Sequence, residues 1–171
     1  MSVVPIKIYG ENVLRRIARP IENITQDTVN MAEHLIATME SESGLGLAAN
    51  QIGITVRAFA INMTHFDILI KPKVLINPEI VNFGQENMKG EEGCLSFPGL
   101  FQSIERPEKV SVKYLDLDGN EQLMDAEGLM ARVIQHETDH LDGILFIDKL
   151  SAGQKLFIKN KLKRIKAGER V

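Results

Sequence analysis

Two histidines four residues apart, His136 and His140, with Glu137 beside the first, constrain this chain more than any other feature. On an α-helix that H-E-x-x-H spacing puts both imidazoles on one face, one turn apart, where they can grip a single metal ion. Glu137 falls roughly 100° further round the same turn, close enough to act on a water at that ion without becoming a ligand. The flanks suit a helix: Leu129 to Ile134 lead in without proline, and Gly143 offers a stop after Asp142. A chance match in a chain of this length has odds of about one in two hundred, so metal chemistry is the expected reading.

Two histidines need a third protein ligand. Cys94, the only cysteine, suits a soft or borderline metal as a thiolate. Asp139, Asp142 and Glu92 are the alternatives. With 44% hydrophobic and 25% charged residues, the 171 residues are those of a globular protein, expected as one catalytic domain over 1–171. One cysteine allows no internal disulfide, and no apolar run approaches the ~18 residues of a membrane span. The first residues lack the basic start and apolar stretch of an export signal. A cytoplasmic, monomeric protein is therefore expected.

Along the chain, a short helix is expected around Glu11–Ala18, then a firmer one capped by Thr25 or Asp27, with Ala32, Leu35, Ile36 and Met39 inward. Residues 44–51, G-L-G-L-A-A-N-Q, crowd small residues around an amide, which marks a turn where backbone lies close to something. Strands are expected at Thr55–Ile61 and at Val74–Ile76, the latter stopped by Pro78, with Ile80–Phe83 continuing it or pairing with it. Val110, Val112 and Tyr114 alternate on one face, and Asp118-Gly119 turns that strand into Glu121–Met124. Ile144–Ile147 reads as extended. A last helix opens with the Ser151-x-x-Gln154 capping box and turns Ile158, Leu162 and Ile165 inward.

Three segments in this order, G-L-G-L-A-A-N-Q (44–51), E-G-C-L-S (92–96) and Q-H-E-T-D-H-L (135–141), resemble the three signature motifs of the peptide deformylase family. The likeness extends to residues 75–78, 106–110 and 143–148. It implies an α+β fold, with small, mostly antiparallel sheets around the H-E-x-x-H helix and a C-terminal helix after it. It also implies hydrolysis of the N-formyl group from the formyl-methionine of new proteins, with release of formate.

By the same resemblance, Cys94, His136 and His140 bind the metal and Glu137 is the general base. The backbone N–H of Leu95 and the side-chain amide of Gln51 hold the oxyanion. Leu45, Gly46, Glu92, Leu129 and Val133 contact the substrate. Ligand type alone reads as zinc. The resemblance points to Fe2+, with Zn2+, Ni2+ or Co2+ able to substitute. Arg132, one turn before His136, departs from the apolar pattern; its stem is expected at the pocket rim with the guanidinium in solvent. Arg106 is expected to be structural, with Asp139 as a partner.

Charge is divided unevenly. Residues 149–171 carry eight Lys or Arg and one Glu, so 8 − 1 = +7, whereas residues 1–148 carry 12 − 22 = −10. A basic last helix beside an acidic body fits a polyanionic partner. For a protein acting on new chains, that partner is the ribosome. Two rival readings are a metalloendopeptidase and a non-catalytic, metal-stabilised binding module.

Overall fold

Helix α1 (Gln26–Ser41) starts where Thr25 turns from extended backbone, its N–H donating to Thr28 Oγ1 at 3.2 Å. Ala32, Leu35 and Met39 are buried along one face as expected, with Met31 beside them, while Ile36 is half-buried. The structure is a computed structural model that describes residues 2–171. The stretch ahead of α1 holds only a 3-10 turn at Asn12–Arg15, shorter than the helix expected there.

After α1 come β1 (Gly46–Ala48), a 3-10 turn at Ala49–Ile52, β2 (Ala58–Ile61) and β3 (Lys73–Phe83). Strands β4 (Asn87–Gly93) and β5 (Phe101–Pro107) form a hairpin of their own. Strands β6 (Lys109–Leu115) and β7 (Glu121–Glu127) return to the larger sheet, whose order is β1-β2-β3-β6-β7 and whose neighbours all run antiparallel. Helix α2 (Gly128–Leu141) and helix α3 (Ala152–Lys166) complete the chain. This is the α+β architecture that the resemblance implies.

Three local features go beyond the sequence reading for physical reasons. Of the two outcomes expected after Pro78, Ile80–Phe83 continues the same strand: β3 runs through Pro78 because the register shifts between Ile76 and Glu79 and spares the missing proline N–H. Asn77 sits there at φ 50°, and its amide both donates to Ile21 O and accepts from Ile21 N–H at 2.8 Å. The β4–β5 hairpin was not expected at all, because charged residues occupy inward positions that alternation reserves for apolar ones. Ile144–Ile147 is not extended throughout: a 3-10 turn at Phe146–Lys149 forms where Asp148 accepts the Leu145 N–H at 2.8 Å.

Helix α2 lies across the sheet, touching β1, β2, β3, β6 and β7. It is buried nearly all round, including Arg132, Gln135, His136, Glu137 and His140. A helix buried on its polar faces must satisfy those groups internally. Helix α3 docks more conventionally. Ser151 and Gln154 form the expected reciprocal cap, at 3.0 and 3.3 Å. Ile158 and Ile165 are buried, each contributing about 1.5–3 kcal/mol to docking.

Candidate metal centre

The helical spacing of α2 brings His136 and His140 together with ring centroids 5.0 Å apart. Strand β4 ends at Gly93, so Cys94 is delivered just past the sheet edge, its Sγ 3.2 Å from His140 Nε2. The Cys94 sulfur and one ring nitrogen from each histidine all lie within 4.8 Å of one another. One thiolate and two imidazoles form a donor set suited to a divalent transition metal. The other ligand candidates are committed elsewhere. Asp139 pairs with Arg106 at 2.7 Å and Lys149 at 3.1 Å, and Asp142 pairs with Arg57 at 2.6 Å.

Glu92 is held by three partners. Arg106 grips both carboxylate oxygens, with Nη2 to Oε2 at 2.9 Å, and Arg132 Nη1 donates to Oε1 at 2.8 Å. His136 Nδ1 meets Oε2 at 3.0 Å, which leaves its Nε2 for the donor cluster. A carboxylate on the far nitrogen fixes the ring and raises its basicity as a ligand. Burial works to raise the Glu92 pKa, but hydrogen bonds from Arg106 and His136 outweigh it and hold the group ionised well below the usual range. Glu92 does line the cleft, yet both its oxygens are engaged within the protein.

Arg132 corrects an expectation. Its guanidinium does not reach solvent: the residue is 5% exposed. Besides Glu92 it donates to Ile104 O at 2.9 Å and Met88 O at 2.7 Å, so α2 is tied to β4 and β5. Two strand carbonyls and a carboxylate outbid water for the charge. The pairing of Arg106 with Asp139 is present as expected, but Arg106 also holds Glu92 and so joins three elements. An arginine among buried helix residues was the available signal that a buried acid lay opposite.

Burial opposes charge on both imidazole rings. At His136 the Cys94 sulfur and Glu92 overcome it and raise the pKa. At His140 the charge on His136 adds to burial and lowers it.

Glu137 stands against the same cleft, 4% exposed. Its Oε2 has no hydrogen-bond partner among the described residues. Burial chiefly, with the charges of Glu92 and Asp139, pushes its pKa up to about 7 against the pull of His136 and Arg106. Gly46 explains how the carboxylate fits, since a Cβ there would lie 2.5 Å from Glu137 Oε1. Close approach at Gly46 is thus satisfied by a side chain of α2.

Gln51 has a fixed orientation: Oε1 accepts the Ala48 N–H at 2.8 Å, and Nε2 donates to Ser96 Oγ at 3.1 Å beside Cys94 Sγ at 3.4 Å. Neighbouring Asn50 donates to the His140 carbonyl, tying this turn to the end of α2. Neither Ser96 nor Asn50 was singled out from sequence. The cleft has a volume of about 480 Å³, and Leu45, Gly46, Leu95, Leu129 and Val133 all line it. The cleft therefore brings apolar side chains together with Cys94, His136, a buried carboxyl and an oriented amide.

The sequence matches the family model described as Polypeptide deformylase over residues 3–156. A peptide deformylase of Mesorhizobium japonicum is 42% identical over 165 residues, covering 96% of this chain and 94% of that protein. The crystal structure of peptide deformylase from Ehrlichia chaffeensis in complex with actinonin superposes with a TM-score of 0.90 at 36% identity, covering 100% of both chains. A Met-Ala-Ser-bound class I type b peptide deformylase from Acinetobacter baumannii gives 0.80 at 37% identity, over 87% of this chain and 99% of that one. With the family model matched over most of its length and the fold shared from end to end, the chain belongs to the polypeptide deformylase family.

Proposed function

We propose that this cleft carries out deformylation with Cys94, His136 and His140 holding one Fe2+ ion and Glu137 moving the proton. As a member of its family, the chain is a hydrolase that removes the N-formyl group from the formyl-methionine of new proteins and releases formate. The observation that supports the assignment is the three-donor cluster, whose Cys94 and His136 line the same cleft as Glu137 with its buried, partnerless oxygen. When bound, the ion supplies positive charge that lowers the pKa of water and polarises the formyl carbonyl.

Glu137 accepts a proton from the attacking water and returns it to the departing amine. A carboxyl with a pKa near neutrality suits both transfers. The Leu95 N–H and Gln51 Nε2 donate to the carbonyl oxygen as charge collects there, an effect of about 2.7–4 kcal/mol per donor. Leu45, Leu129 and Val133 take the methionine side chain. Glu92, Arg106 and Arg132 keep His136 aligned. The formyl carbon bears only hydrogen, so the reacting carbonyl is open to attack.

Formate release from formyl-Met-Ala-Ser, compared with cleavage of the unformylated peptide, tests this reading. Formate alone is expected, and chelation should abolish it until ferrous iron is restored without oxygen. Cleavage of internal peptide bonds would point to an endopeptidase, and metal binding without turnover to a binding module. Protein purified anaerobically should contain iron; zinc at one ion per chain would return the site to the reading from ligand type.

The basic face of α3 supports docking on ribosomal RNA, with the protein acting as a monomer in the cytoplasm. Lys159, Lys163, Arg164 and Lys166 are exposed while Ile158 and Ile165 face inward. Changing the three lysines to Ala, with Arg164 kept because it also binds Glu169, should reduce ribosome co-sedimentation at low salt and leave tripeptide hydrolysis intact. Undiminished co-sedimentation would remove this proposal.

A further inference from the structure

Beyond α3 the chain folds back onto the cleft. Gly168 takes a φ of +86°, and the Glu169 N–H then donates to Arg164 O at 3.0 Å. Arg164 Nε meets the Glu169 carboxylate at 2.8 Å, and Arg164 Nη2 donates to Arg170 O at 3.4 Å. Val171 donates its N–H to Pro98 O at 3.1 Å and packs against the cluster containing Phe97 and Ile165. Gly99 makes this possible: at φ +83°, its added Cβ would lie 1.8 Å from Val171 O. The tail is therefore pinned from both sides of Arg170.

The consequence is that Arg170 lines the cleft that also holds Glu137 and His136. Of the charged groups lining that cleft, Arg132 and Glu92 are spent on each other and on buried partners. Glu42 and Glu91 add negative charge to the wall. Arg170 is exposed, and its side chain has no ion-pair partner among the described residues. A planar fork of N–H donors at such a place is suited to a carboxylate.

We infer that Arg170 is a substrate-binding residue that takes an anionic group on the third residue of the formylated peptide. The inference rests on the deformylase reading of the cleft. It makes the segment after α3 part of substrate selection, favouring chains with Asp or Glu two residues after the formyl-methionine.

The test compares formate release from formyl-Met-Ala-Asp-amide, formyl-Met-Ala-Ser-amide and formyl-Met-Ala-Lys-amide by wild type, Arg170→Ala, Arg170→Lys and Arg170→Glu. Wild type is expected to have the lowest KM for the Asp peptide. Arg170→Ala should raise that KM about two- to five-fold while kcat and the Ser peptide stay unchanged. Arg170→Lys should recover part of the loss, and Arg170→Glu should turn the preference toward the Lys peptide. Equal effects of Arg170→Ala on all three peptides, including a general loss from an undocked tail, would overturn the inference. So would no effect on any. Turnover of the Ser peptide by wild type reports separately on the deformylase reading.

Discussion

Replacing Gly46 with alanine is expected to lower kcat by about 100-fold or more while leaving the metal content at the wild-type level. The added methyl would sit 2.5 Å from Glu137 Oε1, 2.8 Å from its Cγ and 2.9 Å from its Cδ, about 1 Å inside van der Waals contact. Strand β1 cannot retreat easily, because Gly46 is paired with Ile61 of β2. The carboxylate must therefore move, and a proton carrier displaced by about an ångström loses its alignment with the reacting atoms. Cys94, His136 and His140 are not the groups that the methyl would strike. Turnover and metal analysis on one preparation separate the effects. An unchanged kcat would mean that Glu137 acts from another position than the one it occupies here.

A second large effect is expected from Arg106→Ala, this time on stability and metal affinity together. Arg106 and Glu92 are 3% and 4% exposed in their side chains, so the pair cannot be rescued by water. Breaking a buried pair by removing one partner costs about 3–5 kcal/mol. The lower end applies here, since Arg132 still reaches Glu92 and Lys149 still reaches Asp139. Loss of the clamp should also free Glu92 to shift under His136, weakening metal binding by about 10–100-fold. Denaturant unfolding and metal titration measure the two losses. A double-mutant cycle on Arg106 and Asp139 isolates their contact, and a coupling near zero would remove it from the account.

The same pair has a pH signature. The folded pKa of Glu92 lies below its ordinary value of 4.5, so its contribution to stability is complete above that value. It is lost as pH falls through the folded value. Without Arg106 the folded pKa moves back up, and acid unfolding should begin at a higher pH than in wild type.

Local spacing made the centre of this molecule readable. His136, Glu137 and His140 share one helix, so their geometry follows from the rise and turn of that helix. The capping box and inward isoleucines of α3 are local in the same way. What depended on distant partners was not readable. Only the fold shows that Asp139, Asp142 and Glu92 are each held by an arginine, while the Cys94 sulfur lies within reach of the two histidines. The β4–β5 hairpin hid because Glu92 and Arg106 fill inward positions as a charge pair, which mimics loop composition. Arg132 looked like a surface residue until the carbonyls of Met88 and Ile104 were brought to it. Pro78 stops an ordinary strand but sits at a bulge here, next to Asn77, whose amide is held by the backbone of Ile21 from across the chain.

The central claim is that Glu137 carries the proton while Cys94, His136 and His140 alone hold the metal. The most direct measurement is metal content and formate release from Glu137→Ala purified without oxygen. One ion per chain, with kcat reduced by about 10²–10⁴-fold, is the expected result. Protein that emerges without metal, or that retains its turnover, would contradict the assignment.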